Sequence, residues 1–392
     1  MSSARDLLLA RLKAEVSDPY MGEIGMRVWD LRGGVELFRH DADLPYMMAS
    51  TAKIFTIGAA LALLGKDFRV STEISASEEI SAQGVLRGDL HIKGGGDPSF
   101  GSADYVKKFF YGNGTRADAL LEALGRAGVR RIEGTVVVDA DAFDDQVKPT
   151  GRLSALTYDR TQADEPALAA AQKIVKLLHQ AGVEAEGGAR LGSTPSTAHV
   201  IGSLVSPPVQ DLIVPVGRRS DNFVAETLCK IIAAHVGGAR GTTEAGAAII
   251  RDFAASFGVH LEQVDGSGLA FRNKASVAGV VDYLNAVSEQ PWADEFVKSL
   301  PVVGVNGTVH DRGRNTAAQG VVAAKTGTHL IPGTIQMERG FRSSAIVGFC
   351  MQGTERRLAF SIMQERPRSR YTALAGQERM LVALATYVAA SG

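Results

Sequence analysis

Three short clusters hold the residue types that nucleophilic catalysis needs. Ser50-Thr51-Ala52-Lys53 places a hydroxyl and an amine one helical turn apart. Ser220-Asp221-Asn222 sets a hydroxyl near an amide, and Lys325-Thr326-Gly327-Thr328 sets a second amine beside two more hydroxyls. A serine hydroxyl is a weak nucleophile at neutral pH and needs a base within hydrogen-bond reach. On a helix, Ser50 and Lys53 share a face. An amine that is buried near a second cation gives up its proton more readily. The spacing therefore suggests Lys53 as the base for Ser50, with Lys325 as the second cation. Each cluster alone is weak, since a Ser-x-x-Lys match arises about once by chance in a chain this long. The competing structural readings are Ser50 as a helix cap with Lys53 reaching back to water, and Ser220-Asp221-Asn222 as a cap for the helix beginning FVAETL. Asp221 is read as structural.

The elements that must position these clusters can be read from hydrophobic period. Ser50 opens an apolar helical run to about Leu64, and Lys325 ends the strand-like run VVAAKTG. Upstream lie an amphipathic helix, with Leu7, Leu8, Leu9, Leu12 and Val16 on one face, and two strands flanking a turn at Arg32-Gly33-Gly34. Downstream lie SAIVGFCMQ, RLAFSIMQE and a final helix. The expected fold class is α+β: one antiparallel sheet built from both ends of the chain, terminal helices on one face and the helical middle on the other. Residues 69–162 change character, alternating short strand-like pieces with Gly-rich turns. They are expected to form an inserted β-rich domain, leaving 1–68 and 163–392 as the catalytic domain.

The chain has 392 residues, 42 basic and 43 acidic, for a net charge of -1. That balance excludes the bulk electrostatics of a nucleic-acid binder, and without a long charged run a polyanion or membrane-surface partner is not implied. Cys229 and Cys350 have no metal-like spacing, and whether they pair is open. No metal or organic cofactor is implied. The N-terminal stretch has no signal-peptide pattern, and no run is long and apolar enough to span a bilayer. The expectation is a soluble protein, either cytoplasmic or a mature form written without its leader.

The order and separate contexts of the three clusters resemble the signature of penicillin-recognising serine enzymes. Most of the chain resembles the D-Ala-D-Ala carboxypeptidases of the low-molecular-mass class C penicillin-binding proteins, which act as DD-carboxypeptidases and DD-endopeptidases. Beyond the three motifs, GVELFRHDADLPYMMASTAK, LRGDLHIKGGGDPSFGSADY, IEGTVVVDADAFD and VDGSGL at 264–269 carry the likeness. The gap from Ser50 to Ser220 leaves room for the inserted domain, which class A β-lactamases lack. The resemblance implies a transpeptidase/β-lactamase-like domain acting on peptidoglycan-type peptides ending in D-Ala-D-Ala, with β-lactams as covalent inhibitors and an extracytoplasmic location. It implies Ser50 as nucleophile, Lys53 as base, Ser220 as proton relay to the leaving amine, and Asn222 on the substrate amide and Lys53. It implies Lys325, Thr326 and Thr328 at the substrate carboxylate, with Gly327 letting the substrate backbone lie along the strand. Asp97 is either near the far end of the acyl-donor side chain or a turn aspartate before Pro98.

Departures from the family pattern shape the alternatives. A further domain usual in the family is not expected after residues 145–165. Ala270 and Phe271 stand where Ser-Arg is common, and Arg272 lies one later. His329 is unusual: of its two readings, lining the substrate groove or facing solvent, the second is expected. Glu165, before Pro166, is read as a helix start and not as a deacylating base. The alternative functions are an intracellular D-peptidase, amidase or esterase of the same fold, and a β-lactam-binding protein without turnover.

Overall fold

The computed structural model describes residues 3–144, 146–148, 151–330 and 341–391. The chain divides into two compact units. The first comprises Met1–Ala62, Ile213–Ala225 and Ala247–Gly392; the second comprises Leu63–Leu212 and Glu226–Gly246.

The first unit is built on a five-stranded antiparallel sheet. Its strands are β1 (Glu23–Asp30), β2 (Val35–His40), β3 (Val322–Leu330), β4 (Phe341–Gln352) and β5 (Glu355–Glu365), in the spatial order β3-β4-β5-β1-β2. Both ends of the chain thus contribute, and β3 lies at an edge. The β1–β2 turn forms where expected: Asp30 accepts the backbone N–H groups of Arg32 and Gly33, and Gly34 has φ +62°. Alternation along β1 decides which helix covers which face. Ile24, Met26 and Val28 join a core with Leu8, Leu12 and Val16 of α1 (Ala4–Val16) and with Met380, Leu384 and Val388 of the C-terminal helix (Arg370–Ala390). Leu7 stays exposed, so the buried face of α1 is narrower than its leucine content suggests. On the opposite face of β1, Arg27 bonds the Ala278 carbonyl and Asp282 of the helix Val277–Ser288.

The second unit holds a five-stranded mixed sheet in the order Ala189–Leu191, Val136–Asp139, Leu90–Lys93, Ser71–Ala76, His199–Val205. It is larger than the 69–162 segment marked out by composition, and the physical reason is a crossover. Val136–Asp139 and Ala189–Leu191 pair in parallel, and parallel neighbours need a long connection, usually a helix. Pro166–Gln180 supplies it and buries Ala167, Ala170, Ala171, Ile174 and Leu178 against this unit's core. Its helical period was legible, but period does not say which sheet a helix covers. Pro166 opens the helix and Glu165 precedes it, as expected.

Both cysteines are buried, and they form no disulfide with each other. Among the described residues, no helix is long and apolar enough to cross a membrane.

Candidate active site

All three motifs fall in the first unit. After the short strand Pro45–Met47, whose Met47 N–H is held by Glu365 at 2.8 Å, the chain turns sharply at Ala49, which has φ +47°. A β-carbon makes that left-handed geometry costly. Ser50 then sits in a 3-10 turn, Ala49–Ala52, and α2 (Lys53–Ala59) follows. Ser50 is therefore not a helix cap; no side chain caps either segment. Two glycines make the turn feasible by letting other backbone come close. A β-carbon at Gly327 would meet the Met48 carbonyl oxygen at 2.4 Å, and one at Gly268 would meet that of Ala49 at 2.0 Å. Gly327 thus makes room for the nucleophile's own turn, a role in addition to the one expected along the substrate.

Lys53 is fully buried. Its Nζ donates to Ser50 Oγ (2.9 Å), Asn222 Oδ1 (2.7 Å) and the Ser267 carbonyl (2.5 Å). Asn222 is placed by a left-handed Ser220 (φ +56°) and by Asp221, which accepts the Val224 N–H at 3.1 Å as a helix cap. Lys325 projects from β3, also fully buried, and its Nζ donates to Ser220 Oγ (2.9 Å) and to the Thr326 carbonyl (2.7 Å). Burial, then the neighbouring Lys53 charge, pushes Lys325 well below the ordinary lysine value. Thr326 Oγ1 donates to Thr308 Oγ1 at 2.8 Å, and the Thr328 side chain is exposed. The unit therefore holds two serine–lysine pairs, one on the α2 turn and one across β3.

A loop at 265–273 closes the site. Asp265 accepts the Gly268 N–H (2.6 Å), the Ala270 N–H (2.8 Å) and Asn273 Nδ2 (2.9 Å), so one carboxylate folds the loop. Thr56 Oγ1 donates to the Gly266 carbonyl at 2.8 Å, tying the loop to α2. The contact sequence reasoning missed is the Ser267 carbonyl on Lys53. The VDGSGL stretch stood out, but a peptide carbonyl has no side-chain signature.

The sequence pattern of the D-Ala-D-Ala carboxypeptidase 3 (S13) family matches residues 8–157 and 155–387. The chain belongs to the S13 family. It is 30% identical to a D-alanyl-D-alanine carboxypeptidase of Actinomadura sp. (strain R39), over 93% of this chain and 81% of that protein. It is 27% identical to carboxypeptidase DacB of Mycolicibacterium smegmatis, over 82% of this chain and 74% of that protein. The fold is similar to that of penicillin binding protein 4 (dacB) from Haemophilus influenzae, with a TM-score of 0.74, 17% identity and 98% of each chain covered. The expected α+β, penicillin-binding class of fold is thereby established, and S13 membership makes the chain a serine peptidase.

Within this S13 chain, one residue differs from expectation, and the contacts of a second match one of its two readings. His329 does not face solvent: it is 6% exposed, and its Nε2 lies 3.0 Å from the Gly268 carbonyl. Residues two apart share a strand face, so His329 follows Lys325 and Gly327 onto the buried side of β3. Its ring meets that of Phe271 edge-on at 4.7 Å, and the Arg342 guanidinium lies 4.9 Å from the Phe271 centroid. Asp97 lies in the second unit, where Ser99 N–H (2.8 Å) and Ser99 Oγ (2.6 Å) bond one carboxylate oxygen and the Thr115 hydroxyl bonds the other. That is the pattern of the turn aspartate.

Proposed function

We propose that this protein is a serine-type D-alanyl-D-alanine carboxypeptidase that works through an acyl-enzyme on Ser50. The observation that carries the residue roles is the 2.9 Å contact between the fully buried Lys53 Nζ and the Oγ of the half-buried Ser50. Of the described oxygens bonded to Lys53, those of Asn222 and Ser267 can only accept. When Lys53 is the free amine, its two N–H groups stay on those carbonyls, and its lone pair faces the Ser50 hydroxyl. Lys53 then takes the Ser50 proton as Oγ attacks the penultimate D-Ala carbonyl. The backbone N–H groups of Ser50 and Thr328 hold the developing oxyanion, each worth roughly 3–4 kcal/mol. Ser220, bonded to Lys325, passes a proton to the departing D-Ala amine, and water then releases the acyl group.

Lys325, Thr326 and Thr328 meet the terminal carboxylate of the substrate. An incoming carboxylate favours the ammonium form of Lys325, which burial otherwise disfavours. The outer side of β3 pairs with residues 301–303 along Val322–Ala324, and beyond that point its edge faces an extended peptide. A peptidoglycan-type substrate supports a location outside the cytoplasm. The test is release of D-Ala from a peptide ending in D-Ala-D-Ala, compared with aminoacyl-D-amides and short esters. Turnover of the D-Ala-D-Ala peptide that vanishes in Ser50→Ala supports the proposal; preference for the amides or esters, or a Ser50→Ala variant that still cleaves, overturns it.

A further inference from the structure

The loop that closes the site is held at two successive carbonyls by two different basic side chains. Lys53 Nζ donates to the Ser267 carbonyl at 2.5 Å, and His329 Nε2 lies 3.0 Å from the Gly268 carbonyl. Gly268 also presses on the nucleophile's turn. Gly268 has φ +79°, and a β-carbon there would meet the Ala49 carbonyl oxygen at 2.0 Å and the Ala52 Cβ at 3.1 Å. His329 approaches from β3, two residues beyond Gly327, and a bulge in the β3–β4 pairing follows it directly. The peptide from Ser267 to Gly268 is thus gripped between α2 and the catalytic strand.

We infer that His329 is a positioning residue, whose neutral imidazole donates its Nε2–H to the Gly268 carbonyl and thereby holds the Ser267 carbonyl where Lys53 needs it. This rests on the proposed Ser50–Lys53 chemistry. The tautomer follows from the partner, because a peptide carbonyl can only accept. Neutrality follows from the surroundings. Burial is the largest influence and pushes the imidazole below its ordinary value. The Gly268 carbonyl and Asp265 in the loop favour the charged form, whereas Arg342 on β4 and Lys53 on α2 oppose it. Protonation would add a charge on a ring whose Nδ1 is buried with no hydrogen-bond partner among the described residues. Phe271 packs edge-on against the ring and keeps it in place. When His329 is lost, Asp265 still folds the loop, but the described hydrogen bond that joins Gly268 to the strand is gone. The Ser267 carbonyl then drifts, and one of the two acceptors that aim the Lys53 lone pair at Ser50 is lost.

The test compares wild type, His329→Leu and His329→Gln by two readouts. Leu fills the space without a donor, and Gln places an amide N–H near the Nε2 position. The first readout is the second-order rate of acylation by benzylpenicillin from pH 5 to 9. His329→Leu should slow it about tenfold or more, the scale of a small misplacement of a catalytic group. His329→Gln should restore most of that rate and should lose the part of the acid-side decline that belongs to the imidazole. The second readout is hydrogen exchange in residues 265–273, which should rise in His329→Leu and return toward wild type in His329→Gln. A leucine variant that matches wild type in both readouts overturns the inference, as does a glutamine variant that behaves like leucine in both. If wild type itself is not acylated, the Ser50 reading fails, and the exchange data still decide whether His329 holds the loop.

Discussion

Lys53 in the first unit and Lys230 in the second are both fully buried, and the oxygens around them differ. Lys230 Nζ meets Asp144 Oδ1 at 2.5 Å, the Asp144 carbonyl at 3.1 Å and the Leu153 carbonyl at 3.3 Å. The described hydrogen bonds of Lys53 end on a hydroxyl, an amide oxygen and a peptide carbonyl, and those of Lys325 on a hydroxyl and a carbonyl. A carboxylate partner favours the ammonium form and turns a buried lysine into a strut. Neutral acceptors satisfy the N–H groups without fixing the charge, and this leaves an amine able to trade protons. Burial alone does not make a lysine catalytic: among the described contacts, Lys230 meets a carboxylate, whereas Lys53 meets the nucleophile itself.

The sharpest way to break this contrast is to replace each lysine by methionine. Lys53→Met should lower the rate of acylation by benzylpenicillin on the order of 10³-fold, the scale of a lost general base, with the far-ultraviolet circular dichroism unchanged. Lys230→Met leaves Asp144 without its cation and should cost about 3–5 kcal/mol in urea unfolding, while folded protein keeps its acylation rate. The contrast fails if Lys230→Met silences the chemistry or if Lys53→Met acylates normally.

A smaller effect probes how tightly the first unit is built around its nucleophile. Gly327→Ala puts a β-carbon against the Met48 carbonyl and 3.0 Å from the Thr51 nitrogen. Both are backbone atoms and cannot swing aside, so acylation should fall about 10- to 100-fold. A rate equal to wild type would mean that the turn carrying Ser50 is not held against β3.

The smallest effect extends the comparison to carboxylates. Asp97 is buried among hydroxyls and one N–H, and burial raises its carboxyl above the ordinary value. A raised folded-state pKa means that its stabilising share is fully present below the ordinary carboxylate range and is lost as pH rises through the folded value. Asp97→Asn should remove that decline and change unfolding free energy at neutral pH by only about 1 kcal/mol. An unaltered pH dependence of stability in urea would contradict this.

How much of this was legible depends on where the information sits. The Ser50, Ser220 and Lys325 clusters were legible because side-chain type and spacing encode them. The hairpin at Arg32-Gly33-Gly34 and the terminal helices were legible because period and turn chemistry are local. The Ser267 carbonyl was not, since any residue carries one. The burial of His329 could have been suspected from its two-residue spacing beyond Gly327, but its partner lies 61 positions away. The left-handed Ala49 was hidden because nothing in alanine advertises that conformation; two distant glycines, Gly268 and Gly327, permit it. The helix Pro166–Gln180 was legible as a helix, but its place depended on a parallel pairing that no local pattern encodes.

The central claim is that Ser50 is the nucleophile that this cluster of neutral acceptors and lysines prepares. Mass spectrometry of the intact protein after benzylpenicillin, followed by peptide mapping, tests it most directly. The account predicts one adduct per chain, located on Ser50 and absent from Ser50→Ala. An unmodified wild-type protein, or an adduct on any other residue, would contradict it.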